Sequence, residues 1–260
     1  MRAMPHAERL SSHLANQIEA QTRDPDWTLA HYTFVASVTT LASECDIAHS
    51  PAMSVASSHG VPRLNLAFIG ESAELLANYT TFLIGQDSEI ELLVDEAQRA
   101  VAEQAFKVLS EEAQWQMVFR GDSDVLDEGQ ATELVDNDLQ AMQALAKSEQ
   151  IELRFATRDP LQQGPAFGIW EGHRLVAMGV TNLRLPGVVQ IGSVIAARAI
   201  SERLHIAAIV SALVKAHAEQ MKVFYIIAQQ DETILELLET LGFVRERPMY
   251  RICCVLKEGV

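Results

Sequence analysis

Residues 188–243 read VVQIGSVIAARAISERLHIAAIVSALVKAHAEQMKVFYIIAQQDETILELLETLGF. The periods in this stretch predict a strand over 188–195, a turn, a helix over about 204–219, a second strand over 223–228 and a second helix over 231–241, a β-α-β-α unit. The first helix carries Ile206, Ile209, Val210, Leu213 and His217 at three- and four-residue spacing, so one face packs on a sheet while Lys215 and Glu219 face solvent. The second repeats that rhythm with Ile234, Leu237, Leu238 and Leu241. Asp231 is placed to accept from its first free amides, and Gly242 supplies the left-handed exit. Neither strand ends in a glycine-rich phosphate fingerprint, so a dinucleotide-binding fold is not indicated.

LETLGFVRE (residues 238–246) follows that strand and closes the second helix, and it resembles the C-terminal signature of the GNAT acyl-CoA N-acyltransferases. Upstream, GIWEGHRLVAMGVTNLRLPGVVQIGSVIAARAISERLHIAAIVSALV (residues 168–214) resembles, without a gap, that superfamily's two hairpin strands, splayed strand and CoA-loop helix. The resemblance covers roughly residue 131 to the end. It implies an α/β (α+β) fold of tandem GNAT-like domains with mixed, mainly antiparallel sheets flanked by helices. The expected division is a degenerate GNAT-like domain over 1–125 and an acyltransferase-like domain over 126–260.

The resemblance also implies a site. In the superfamily acyl-CoA lies against the strand equivalent to Gly192, Ser193, Val194 and Ile195, whose backbone bonds the pantetheine arm. The diphosphate then sits on the amides of the following turn, where free N–H groups and the helix dipole favour anions. That turn normally reads Arg/Gln-x-x-Gly-x-Gly/Ala, and here it reads Ser201-Glu202-Arg203-Leu204-His205-Ile206. Leu204 and Ile206 fill the two small positions, and Ser201 replaces the leading basic or amide residue. Glu202 adds a negative charge that, at ~6 Å and an effective dielectric of ~20, opposes a diphosphate charge by ~3 kcal/mol. Arg203 offsets part of this. Weak acetyl-CoA binding, high micromolar or worse, is the expectation.

Other positions depart as well. Asp231 stands where the family commonly carries Asn, and Leu238 where it carries the Tyr that protonates the departing thiolate. Gln190 stands where many relatives carry a glutamate, and it can orient a water but cannot be a general base. His205 at the helix start is a candidate base or anion ligand, and Tyr250 or Tyr225, on strands near the cleft, a candidate acid. Cys253 or Cys254 as nucleophile would require a nearby His and a lowered pKa, neither visible in the sequence.

The implied activity is transfer of an acetyl or other acyl group, from acetyl-CoA or another acyl-CoA, to an amine of a small molecule or peptide. Two alternatives from other classes stay open. One is a binding protein that kept the cleft and lost CoA; the other is a CoA-independent enzyme that reuses the cleft for cyclisation or decarboxylation.

At 260 residues the chain suits two domains of about 130, each able to bury its own core. Twenty basic against 35 acidic residues give a formal charge of −15, which argues against nucleic acid or an anionic membrane as partner and reads either as a solvated acidic surface or as a field that draws in amine acceptors. Residues 86–136 hold 14 acids against Arg99, Lys107 and Arg120, a local net of −11 that reads mostly as exposed helix and linker. Cysteines are three, an odd number, and the adjacent Cys253 and Cys254 point to opposite faces of a strand, so a reducing cytoplasm fits. No stretch has signal-peptide or membrane-span character. A homodimer is left open.

Along the rest of the chain, Leu10, Leu14 and Ile18 mark an amphipathic helix over 6–21, and 27–42 leans to helix on length. Residues 44–62 read as loop, broken by a short strand at 53–56. His49, His59 and Cys45 lie there, but their spacing matches no compact zinc pattern, so no metal is expected. Then follow a strand 63–69, a helix 71–84, a strand 90–94, a helix 96–109 and a strand 114–119, the same β-α-β-α-β order met at the C-terminal end. Residues 121–130 are the expected linker. A strand 131–135, a helix 138–148 capped by Asp136 or Asn137, a loop 150–165, which the resemblance implies receives acceptors, and a hairpin 166–170/174–181 with its turn at Glu171-Gly172-His173 complete the chain.

Overall fold

The computed structural model describes residues 45–50, 53–59, 64–84, 88–150, 161–185, 187–197 and 202–257. Two compact units divide the chain: Met1–Gln114 with Pro248–Val260, and Trp115–Arg247. The helices expected over 6–21 and 27–42 lie outside the described residues.

In the first unit β1 (Cys45–Ser50), β2 (Met53–His59) and β3 (Leu64–Gly70) form an antiparallel meander. The expected loop over 44–62 is therefore corrected to two strands. Their Ser- and Ala-rich sequences carry little strand propensity, and the ladder to β3 supplies what local preference does not. Helix α1 (Ala73–Ile84) leads to β4 (Ile90–Val94), parallel to β3 at three positions from Leu64↔Ile90 to Leu66↔Leu92. Helix α2 (Glu96–Ala105) starts on a capping box, Asp95 accepting from the Gln98 amide at 3.0 Å.

The helix expected over 96–109 stops at Ala105, because Phe106 turns extended (φ −119°, ψ 151°) and buries its ring at 1% exposure. Strand β5 (Phe106–Phe119) begins there. Residues 250–254 of the last strand, β11 (Phe243–Leu256), pair antiparallel with β4. Leu66, Phe68, Leu76, Leu92, Phe106 and Ile252 centre the core of this unit.

The second unit takes residues 115–119 of β5 and then β6 (Thr132–Leu134), helix α3 (Leu139–Ser148), β7 (Ala166–Glu171), β8 (Arg174–Leu185) and β9 (Val188–Ala196). Helix α4 (Glu202–His217), β10 (Lys222–Ala228), helix α5 (Glu232–Thr240) and the start of β11 complete it. Strand order is β11-β5-β10-β9-β8-β7-β6, antiparallel from β6 to β9 and parallel between β9 and β10. The expected cap of α3 at Asp136 or Asn137 is not formed. Asp136–Asp138 is a 3-10 turn, and the Asp138 carboxylate instead accepts from the Val135 amide at 2.9 Å.

Gly242 takes φ +97°, as the helix exit requires, and Gly172 takes φ +61° in the hairpin turn. Leu235, Leu237 and Leu238 of α5 are buried with Ile206, Ile209, Val210 and Leu213 of α4, while Leu134, Met142, Leu145 and Val180 centre a cluster under α3.

The neighbour of β10 is supplied by residues 115–119 rather than by the strand that follows α5. Phe119 meets Phe243 edge-on at 5.4 Å between centroids, and the Arg120 amide donates to the Gly242 carbonyl at 2.9 Å. In the first unit the neighbour of β4 is likewise supplied from afar, by the chain's last strand. Each unit is thus completed by strand residues distant in sequence.

Candidate functional site

The parallel pair β9/β10 is in register at only three positions, Val188↔Lys222, Val189↔Val223 and Gln190↔Phe224. Beyond them β9 continues to Ala196 and β10 to Ala228 without pairing to each other, so the two strands part. Their backbones are then free of one another, which is what an inserted extended ligand requires.

β9 bends at the parting. Ser193 takes φ +48°, a left-handed conformation rarely adopted by a residue with a side chain, and the register with β8 slips between Met178↔Ile195 and Val180↔Gly192. This is a β-bulge. Gly179 lies opposite it, and a Cβ there would stand 2.6 Å from Ile209 Cγ2, so glycine lets α4 pack close to the sheet. A second slip falls at Asn182, whose side chain lies against Gly192 and whose Oδ1 accepts from the Ser193 hydroxyl at 3.3 Å. Gly192 and Ile195 are buried; Ser193 and Val194 are half-buried.

Of the turn and helix start, Ser201 lies outside the described residues. Glu202 and His205 are half-buried, Arg203 is exposed and Leu204 is 73% exposed. Ile206 is 7% exposed and packs in the core with α5. The expected steric block is therefore corrected at Ile206, whose side chain points into the core rather than over the helix N-terminus. His205 Nδ1 is buried without a hydrogen-bond partner, so the ring has an atom to offer a ligand. Asp231 is the N-cap of α5 and accepts from the Ile234 amide at 3.4 Å.

The two candidate tyrosines separate. Tyr225 directly follows Phe224, the last paired residue, and so begins the free part of β10. Burial first, and then the negative charge of Asp231, push its phenol well above the ordinary tyrosine range, which keeps it protonated. Tyr250 belongs to the first unit, where it pairs with Val94. The Arg99 guanidinium lies 4.5 Å from its ring centroid, and a hydrogen bond to Glu96 raises its pKa. The placement of Tyr250 in the cleft is corrected accordingly, since its hydroxyl is committed to that ion cluster. Cys254 has its thiol pushed up to about 12 by burial and then by Cys253, so it is no nucleophile at neutral pH.

A cavity of about 530 Å³ opens at the other end of this unit's sheet, lined by Glu133, Leu134, Val135, Asp136, Asn137, Leu161, Gly164 and Pro165. The register pairs Leu134↔Ala166, Ala166↔Val180 and Val180↔Gly192 place its floor three strands from the β9 bulge, or ~14 Å at the usual strand spacing. Its Pro165 wall is anchored from within. The Thr181 hydroxyl donates to the Pro165 carbonyl at 2.8 Å and accepts from His217 Nε2 at 2.9 Å, both side chains being buried. Burial, with Arg184 nearby, lowers the His217 pKa and keeps the ring neutral.

Sequence reasoning missed the Asn182–Ser193 pair, the Thr181–His217 anchor and the advantage of Tyr225 over Tyr250. The unpaired backbones of the parted strands are of the kind an extended acyl-CoA arm would require. A diphosphate at the α4 N-terminus would be favoured by the helix end and Arg203 and opposed by Glu202. Among the described residues no three His, Cys, Asp or Glu side chains gather as a metal site would require, and no helix is long and apolar enough to cross a membrane.

No protein-family model and no curated protein sequence matches the chain. Solved structures do. A GNAT-family protein from Novosphingobium aromaticivorans aligns with a TM-score of 0.61 at 19% identity, over 85% of this chain and 96% of its own. A GCN5-related N-acetyltransferase-like protein from Streptococcus suis aligns with a TM-score of 0.60 at 16% identity, over 92% and 99%. A tandem GNAT protein from the clavulanic acid biosynthesis pathway aligns with a TM-score of 0.57 at 12% identity, over 82% of each chain. With the parted strands and the order of elements, these likenesses show that the chain has the GNAT fold.

Proposed function

We propose that the chain is an N-acyltransferase that works in its second unit, moving an acetyl or other acyl group from acyl-CoA to the amine of a small molecule or peptide. The observation that carries this is the parting of β9 and β10 after Gln190 and Phe224, with Ser193 held at φ +48° beside it. Bound acyl-CoA supplies an activated thioester.

The backbone from Gly192 to Ile195 holds the pantetheine arm, and the first turn of α4 with Arg203 holds the diphosphate, weakened by Glu202. Glu133 and Asp136 attract a cationic amine to their side of the unit, from which it moves to the acyl carbon at the parting of β9 and β10. Once the ammonium has released one proton to water, its nitrogen bonds to the acyl carbon, and as the C–S bond breaks Tyr225 gives its proton to the sulfur. The proton lost by the amine returns to Tyr225 through water oriented by Gln190. We further propose that the two units are GNAT-like halves, of which the first no longer carries a site.

The test is release of free thiol from acetyl-CoA over a panel of amines. Tyr225→Phe lowers kcat by roughly 10²-fold with little change in KM for acetyl-CoA, whereas Tyr250→Phe leaves turnover intact. Full activity in Tyr225→Phe removes the acid assignment. A binding-protein reading rests on Leu238, fully buried where the family carries its Tyr; it gains if acetyl-CoA binds and no amine is turned over.

A further inference from the structure

We propose that the second unit holds another small-molecule site, a crevice along α4 for a compound with an apolar body, a hydrogen-bonding group at one end and an ammonium at the other. It shares only Leu204 with the residues assigned to acyl-CoA and does not depend on that reading.

Helix α4 buries Ile206, Ile209, Val210 and Leu213 in the core. Leu204, Ala207, Ala208 and Ser211, spaced three and four residues apart, form a different stripe. That stripe floors a crevice of about 610 Å³, the size of a drug-like pocket. Val125 and Leu204 stand on its lining at 77% and 73% exposure, apolar surface that a ligand would remove from water. The opposite wall is pinned rather than loose. Leu126 is buried in the core at 9% exposure, and Glu128 pairs with Lys215 of α4 at 2.9 Å. At one end two backbones touch, since a Cβ on Gly242 would lie 2.8 Å from the Gly121 Cα.

Two polar features give the ligand its chemistry. Ser211 is 1% exposed and its hydroxyl has no hydrogen-bond partner, although a helical serine can donate to the carbonyl four residues back. A buried hydroxyl left unmatched asks for a partner, and a ligand hydroxyl or carbonyl in the crevice provides one. Charge selects the other end. Asp122 and Asp127 are the charged residues of the lining, and no Lys or Arg joins them. One oxygen of each accepts from a nearby amide, Asp124 at 2.9 Å and Gly129 at 2.8 Å, which leaves the other for a cation. Anions, acyl-CoA phosphates included, are disfavoured there.

The probes are 6-aminohexan-1-ol, hexylamine, which lacks the hydroxyl, and 6-hydroxyhexanoate, which replaces the ammonium by a carboxylate. Each is titrated into the full chain without acyl-CoA, followed by calorimetry and by amide NMR shifts. We expect the amino alcohol to shift amides of residues 204–211 and 121–129 and to bind roughly tenfold more tightly than either relative. Ser211→Ala should lower its affinity to that of hexylamine and leave hexylamine unchanged; Asp127→Asn should weaken both amines. The proposal is overturned if the amino alcohol does not bind, if the carboxylate binds as well, if shifts gather at residues 190–196 instead, or if a folded Ser211→Ala binds the amino alcohol as before. Because no acyl-CoA is present, failure here leaves the thiol-release assay standing, and failure of that assay leaves this site standing.

Discussion

The two units run through the same β-α-β-α-β order, β3-α1-β4-α2-β5 in the first and β9-α4-β10-α5-β11 in the second, and in each the parallel strands pair at three positions. They differ at the third residue of the helix that follows. In the first unit Asp95 caps α2 and Gln98 is third in it; the Gln98 amide reaches across and donates to the Phe68 carbonyl at 2.7 Å. Phe68 lies two residues beyond Leu66, the last residue of β3 paired with β4. In the second unit Asp231 caps α5 and Ile234 holds the third position, with no hydrogen-bonding side chain to offer. Gly192 lies two residues beyond Gln190, the matching last pair. The first opening is crossed by the protein's own glutamine, whereas Ile234 offers no such side chain at the second. Two units with the same order of elements can thus be told apart by a single polar side chain at the third helical position.

The largest expected effect comes from cutting the chain between its halves. A fragment of residues 126–260 lacks residues 115–119, which lie between β10 and β11 in the second unit. It should show no cooperative thermal transition, whereas a sharp transition in that fragment would mean residues 115–119 are dispensable. Next comes Leu238→Ala, at a fully buried position of α5, with an expected loss of ~2–5 kcal/mol in denaturant unfolding. A change under ~1 kcal/mol would place Leu238 in a pocket rather than in the core. Gln98→Ala removes a cap partner and strands the Phe68 carbonyl beside a buried ring, for a loss of ~1–3 kcal/mol.

The smallest effect is on acid stability. Burial lowers the His217 pKa from its ordinary 6.5, so below that pH the unfolded chain takes a proton that the folded ring refuses. This contribution is complete above pH ~6.5 and is lost as pH falls toward the lowered value. His217→Gln should flatten the melting temperature between pH 7 and ~5 relative to native.

Much of this was legible in the sequence, and the exceptions share a cause. The elements over 188–243 fall within two residues of their periods, because Ile209, Leu213, Leu237 and Leu238 meet the sheet along their own helices. Residues 45–59 were not legible as strands, since their ladder to β3, not their composition, makes them so. Nor were the pairing of residues 250–254 with β4 and the meeting of Phe119 with Phe243, which are contacts between residues more than a hundred apart. At the site the same limit held. Tyr225 and Tyr250 are both strand tyrosines in sequence, and only the register shows that one begins the free part of β10 while the other pairs with Val94. The turn of Ser193 to φ +48° follows from a slip against β8 that no local pattern signals.

The central claim is that acyl-CoA enters the second unit's opening and not the first's. Calorimetric titration of acetyl-CoA into the full chain, its Ile234→Gln variant and its Gln98→Ala variant tests this most directly. We expect weak binding, high micromolar, at one equivalent per chain in the native protein, at least tenfold weaker in Ile234→Gln, which puts at the third position of α5 the amide that Gln98 offers in α2, and unchanged in Gln98→Ala. Two equivalents per chain, or native affinity in a folded Ile234→Gln variant, would contradict the account.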